Sequence, residues 1–150
     1  QFLGWKDDIL KSTSPTVSVH VRRGDYVTNI QTLNYHGSCS LAYYESAFNL
    51  MRQKLIKPQF YLFTDDIIWA RQHLQMDDVK FVSECAELSD IEEFELQRHC
   101  THSIISNSTF SWWPAYLKHD GSIVITPRKW LKNRCNVSEL IPQNWIKIEN

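Results

Sequence analysis

Short apolar, β-branched runs alternate along this chain with stretches whose apolar residues return every three or four positions. The runs at 17–21, 60–63, 79–82, 103–106 and 123–125 predict five strands. Between them, Leu41, Tyr44, Phe48, Met51 and Leu55 fall on one face of a helix over 41–55, and residues 65–74 and 91–99 give two more. A fourth helix starts near Ser108, carries Trp112, Trp113, Ala115 and Leu117, and stops before Asp120-Gly121, where glycine supplies the turn. Pro114 falls in its early turns, where a missing N–H costs little. Strands and helices in this alternation build a parallel sheet covered by helices, so the expected fold class is α/β. Residues 28–40 read as a loop after the first strand, and the tail beyond Pro127 has no assignable element. Ligands of such sheets bind beyond the carboxyl ends of the strands, so the residues that follow each strand are where chemistry is sought.

Composition narrows the picture without deciding it. At 150 residues the chain fits one domain with a sizeable core. Its 16 Lys+Arg against 17 Asp+Glu give a net charge of -1, which supplies no global attraction to nucleic acid, so any anion site is local. Six Trp, six Tyr and seven Phe, with only four Gly and five Pro, describe a compact enzyme-like domain rather than a disordered one. Cys39, Cys85, Cys100 and Cys135 form no CxxC pair and signal neither a disulfide framework nor a zinc ribbon, which favours a reducing compartment. No apolar run approaches the roughly 20 residues that span a bilayer. The start at Gln1, without Met, has the look of a fragment.

Three strand ends carry candidate chemistry. The first is His20-Val21-Arg22-Arg23-Gly24-Asp25-Tyr26. Adjacent guanidiniums leaving a strand suit a diphosphate, because each offers planar donors matched to phosphate oxygens and stays charged at any working pH. Alternation along the strand gives His20 and Arg22 one direction and Arg23 the other, toward Asp25. Arg22 is the candidate phosphate ligand; the alternative is an exposed basic turn with an Arg23–Asp25 ion pair. The second is Phe63-Thr64-Asp65-Asp66, where a strand runs into a helix. Thr64 or Asp65 can cap that helix and Asp66 suits its dipole, while the aspartate not needed for capping can accept the two N–H donors of a guanine edge. The third is Ser106-Asn107-Ser108-Thr109-Phe110-Ser111-Trp112-Trp113. Small hydroxyl residues at a helix N-terminus attract phosphate, although an ordinary N-cap looks the same in sequence. The Trp pair reads as packing rather than as a ligand platform.

Other constellations carry less. An adhesion loop at Arg23-Gly24-Asp25 needs a mobile tip, whereas this triplet follows directly on an apolar strand. His99, Cys100 and His102 lie close together but lack the spacing of a zinc site, so no metal is expected. Asn107-Ser108-Thr109 and Asn136-Val137-Ser138 match the glycosylation pattern, the first in a turn of poor access.

Taken in order, the three strand-end motifs, with Trp69 after the second, Tyr43-Tyr44 after the first loop and Ile125-Thr126-Pro127 near the end, resemble the signatures of the α-1,2-fucosyltransferase family. The resemblance runs from about Thr16 to Trp130. It implies that residues 16–150 form a GDP-fucose-binding, Rossmann-like lobe, the C-terminal lobe of a GT-B-type glycosyltransferase, with residues 1–15 a linker or a remnant of the N-terminal acceptor lobe. The implied reaction is inverting transfer of L-fucose from GDP-β-L-fucose to the 2-hydroxyl of a terminal galactose, with no cofactor and no obligatory metal. It implies His20 on the guanine side, Arg22 at the phosphates, Asp65 on guanine, and Ser108, Thr109 and Ser111 around phosphate; Arg23 is counted as a further candidate donor-binding residue. Arg22 would stabilise the departing GDP. No carboxylate stands in Thr28-Asn29-Ile30-Gln31, where some related families place one, which leaves Asp25 or a group of the other lobe as base. Partners are then GDP-fucose and a galactose-terminated glycan, without nucleic acid. Peripheral membrane association in a bacterial cytoplasm fits the cysteines, with the Golgi lumen as the alternative. Competing readings are another GDP-sugar transferase or an inactive nucleotide-sugar or carbohydrate-binding module.

Overall fold

The computed structural model describes residues 1–24, 37–84, 87–131 and 139–150. In chain order the elements are α1 Phe2–Leu10, β1 Thr16–Val21, α2 Leu41–Lys54, β2 Gln59–Thr64, α3 Ile67–Leu74, β3 Val79–Phe81, α4 Asp90–His99, β4 His102–Ile104, α5 Thr109–Tyr116, β5 Val124–Pro127 and β6 Ile146–Ile148. The strands form one six-stranded sheet in the order β3-β2-β1-β4-β5-β6, with every pairing parallel. This is the α/β parallel sheet that the alternation predicts, with the Rossmann-like strand order that the family resemblance implies.

Burial decides the centre. All six residues of β1 are buried, and such a strand is covered by helices on both faces. On one face Val17, Val19 and Val21 pack against Tyr43, Tyr44, Ala47, Phe48 and Met51 of α2, together with Ala70 and Leu74 of α3. On the other, Tyr61 and Phe63 of β2 pack with Ile9 of α1, Leu96 of α4 and Cys100. Ile105 and Val124 pack with Ala115 of α5, Trp130 and Trp145. The helix over 41–55 ends one residue early, because Leu55 turns extended at the C-cap. The helix expected from 65 begins at Ile67, since Asp66 is its N-cap.

Two elements lie outside the predicted set. α1 lacks a side-chain N-cap bond and any charge bias at its ends, so it shows no start or stop signal. It packs on the sheet through Phe2, Trp5 and Ile9, and Asp8 accepts bonds from the Tyr61 hydroxyl at 2.8 Å and Lys80 at 2.6 Å. β6 is three residues long and extends the sheet beside β5. The strand expected at 103–106 instead spans His102–Ile104 and ends before Ser106, whose hydroxyl turns toward β1.

Candidate nucleotide-sugar site

From β1 the chain builds outward through β2 to β3, then crosses back through α4 to β4 on the other side of β1. The order reverses between β1 and β4. At such a switch point neighbouring connections leave in opposite directions and open a crevice beyond the strand ends. Motif one, at the end of β1, sits on that crevice and is the hub of the site.

His20 bridges it to motif three. Its Nδ1 lies 2.9 Å from Ser106 Oγ, which lies 3.5 Å from Ser111 Oγ. The imidazole is buried, 5.3 Å from the Phe110 ring. Burial, aided by the positive charge of Arg22, pushes its pKa down to about 3, so His20 is neutral near pH 7. Its backbone carbonyl accepts the Tyr44 hydroxyl at 3.3 Å.

Arg22 and Arg23 bridge motif one to motif two. Arg22 Nη1 is 3.0 Å from Asp65 Oδ2, with the two side chains 35% and 25% exposed. The other Asp65 oxygen accepts the Arg23 backbone N–H at 2.8 Å. Gly24 lies so close that a Cβ would meet Asp65 Oδ2 at 2.6 Å. The Arg23 side chain turns away, as the alternation of β1 requires, but its described partners differ from the expected Asp25. Its Nε is 3.3 Å from Asp66 Oδ2 and its guanidinium lies 4.1 Å from the centroid of Trp69. Asp25 itself lies outside the described residues.

The capping roles in motif two differ from those expected. Asp66, not Thr64 or Asp65, caps α3 by accepting the Trp69 N–H at 3.1 Å, while the Thr64 hydroxyl accepts the Asp66 N–H at 3.0 Å. Asp65 is therefore the carboxylate left over from capping. In motif three Ser108 is the N-cap of α5, taking the Phe110 N–H at 3.3 Å. Ser111 is buried and donates to the Ser108 carbonyl at 3.2 Å. Of the three hydroxyl residues only Thr109 is exposed.

The sequence model of glycosyl transferase family 11 matches residues 3–149. The chain belongs to that family. Among its relatives, the alpha-1,2-colitosyltransferase of Escherichia coli is 36% identical over 95% of this chain and 50% of its own length. The O-antigen biosynthesis glycosyltransferase WbnK of the same organism is 36% identical over 93% of this chain and 47% of its own. The galactoside 2-alpha-L-fucosyltransferase SEC1 of Bos taurus is 32% identical over 75% of this chain and 31% of its own. The chain thus spans about half the length of the bacterial relatives. No solved structure matches it.

Remaining residues of this family 11 chain sort by contact. Asn107, noted in sequence within the third motif and a glycosylation pattern but given no role of its own, is buried. Its amide donates to the carbonyls of Gly37 at 3.3 Å and Trp130 at 3.2 Å, tying together three loops behind the site. Nothing in a single sequence separates such an anchor from a surface acceptor. Asn136 is outside the described residues. Trp112 packs as expected, stacked on Tyr116 at 4.6 Å and donating to the Leu140 carbonyl, whereas Trp113 is 48% exposed. His102 accepts the Ile123 N–H at 2.9 Å, and burial pushes the Cys100 thiol up to about 12. Among the described residues no group of three His, Cys, Asp or Glu is placed to hold a metal ion, and no helix is long and apolar enough to cross a membrane.

Proposed function

We propose that this chain holds the GDP-sugar of an inverting glycosyltransferase that moves L-fucose from GDP-β-L-fucose to the 2-hydroxyl of a terminal galactose. The observation that carries the proposal is the Arg22–Asp65 pair across the ends of β1 and β2, next to the switch point, with neutral His20 on the same strand. Asp65 has one described bond on each oxygen, and a carboxylate oxygen accepts more than one, so both remain able to take N–H donors of a guanine edge. The Arg22 guanidinium is about a third exposed and carries five N–H donors, which suits it to a diphosphate as well as to Asp65. Charge grows on GDP as it leaves, and a preorganised cation together with helix N–H groups stabilises that state more than the ground state. Thr109 and the start of α5 supply the second part of this cradle. In the same proposal Asp25, the carboxylate nearest Arg22 in sequence, takes the acceptor proton, and residues 16–150 serve as the C-terminal lobe of a GT-B enzyme. A bacterial cytoplasmic setting is supported by the buried free thiols Cys39 and Cys100 and by the E. coli relatives.

A second donor has its own support. The relative named for colitosyl transfer matches 95% of the chain at 36% identity, against 75% at 32% for the bovine fucosyltransferase. Calorimetric titration with GDP-fucose, GDP-colitose, GDP and ADP tests both readings. The guanine ligands are expected to bind and ADP to fail, with binding lost in Arg22→Ala and the tighter GDP-sugar naming the donor. Equal affinity for GDP and ADP, or an Arg22→Ala chain that binds like wild type, overturns the proposal.

A further inference from the structure

Arg23 and Trp69 form a unit that the donor reading has not used. Trp69 is the third residue of α3, and its backbone N–H is held by the Asp66 cap. Capping thus fixes where the indole stands. The Arg23 guanidinium lies over that indole, 4.1 Å from its centroid, while its Nε reaches the second oxygen of the same capping carboxylate at 3.3 Å. The indole also contacts His73, stacked at 4.7 Å, and Tyr44, edge-on at 6.3 Å. A guanidinium can stack by its face and hydrogen-bond in its plane at once; a lysine ammonium cannot do both.

The consequence falls on Asp65. The backbone N–H of Arg23 donates to Asp65 Oδ1 at 2.8 Å, so the placement of the Arg23 side chain fixes the peptide that orients the guanine-reading carboxylate. Gly24 closes the other side, with room for no side chain. We propose that Trp69 is a positioning residue of the donor site, acting through Arg23 to aim the Asp65 carboxylate, and that the Arg23 side chain serves this strut rather than the diphosphate. The inference rests on the donor reading above.

Inosine diphosphate provides the discriminating probe, because it keeps the ring N–H and the diphosphate of GDP but lacks the exocyclic amine. An aimed carboxylate reads both donors of guanine, so wild type should prefer GDP to IDP. In Trp69→Leu, which keeps an apolar side chain but removes the aromatic face, that preference is expected to fall by about tenfold, one charged hydrogen bond's worth. Trp69→Phe should restore most of it. Arg23→Lys, which keeps the positive charge and tests the idea without touching the core, should lose the preference as Leu does. If GDP and IDP weaken equally in Trp69→Leu, or if the preference survives, Trp69 does not aim Asp65 and the inference fails. An Arg23→Lys chain with wild-type selectivity fails it as well. Wild type that binds GDP and ADP alike overturns the donor reading first, and this inference with it.

Discussion

His20 Nδ1 and Ser106 Oγ meet 2.9 Å apart across the seam between β1 and β4, although 86 positions separate them in sequence. This bond joins two of the three motifs at the point where the strand order reverses. It also makes the domain sensitive to acid. The native pKa of His20 is about 3, against about 6.5 in an unfolded chain. Between these values the unfolded chain binds a proton that the native state refuses, so stability is fully present above pH 6.5 and is lost as the pH falls toward 3. The contribution is at most about 1.4 kcal/mol per pH unit. His20→Gln removes the titrating group, and the urea-unfolding free energy of wild type relative to this variant is expected to decline steadily from pH 7 to pH 4. A difference independent of pH would mean that His20 protonates freely in the folded chain.

Gly24 sets a second limit. The Cβ of an alanine there would lie 2.6 Å from Asp65 Oδ2 and 3.1 Å from its Cγ, and the carboxylate cannot swing away without giving up Arg22 and the Arg23 amide. Gly24→Ala is therefore expected to weaken GDP binding about tenfold, the cost of one misaligned charged hydrogen bond. Stability should change little, since a partly exposed ion pair contributes about 0–1 kcal/mol. Gly4, in α1 with nothing within 4 Å of its added Cβ, is the control: Gly4→Ala should leave binding intact and stabilise by about 0.5–1 kcal/mol. Titration and unfolding of the two variants side by side check both statements.

These residues also show where sequence reading stops. Strand ends were legible because short apolar runs break sharply into polar motifs at Arg22, Asp65 and Ser106, and a parallel sheet brings all such ends to one edge. Which aspartate caps α3 was not legible, because Thr64, Asp65 and Asp66 are all acceptable caps and the choice depends on Arg23 arriving from β1. The partner of Arg23 was missed for the same reason: Asp25 is near in sequence, whereas Asp66 is near only after β1 and β2 pair. α1 escaped because its stability comes from packing of Phe2, Trp5 and Ile9 rather than from caps. β6 is too short for two-residue alternation to register.

Lys118, just past α5, does structural work at the opposite end of a different helix. Its Nζ donates to the backbone carbonyls of Gln97, Arg98 and Cys100, the unpaired acceptors at the C-terminus of α4. The α4 dipole favours positive charge there, while burial and the neighbouring Arg98 push the Lys118 pKa down to about 8. Lys118→Met keeps the apolar stem and removes the donors, and it is expected to cost about 1–3 kcal/mol of stability in chemical denaturation. Affinity for GDP should remain unchanged, because the contact is at the far end of α4 from the strand ends that build the site.

Asn107 sits between the serine that bonds His20 and the serine that caps α5, and its amide donates to two backbone carbonyls, those of Gly37 and Trp130. Its own oxygen is near the buried Cys39 thiol, at 3.8 Å. Asn107→Asp is nearly isosteric but replaces two donors with acceptors facing carbonyl oxygens, in a place where Asn107 is 3% exposed. At pH 7 the variant is expected to lose about 3 kcal/mol or more, for two broken hydrogen bonds and a charge without solvent. Burial raises the folded-state pKa of the new carboxyl above its unfolded value near 3.9, so the penalty is smallest below that value and grows as the pH rises. The difference between wild type and variant should therefore narrow on acidification, even as His20 lowers the stability of both. A gap that stays constant from pH 4 to pH 7 would show that water reaches this side chain and that Asn107 does not anchor the loops behind the site.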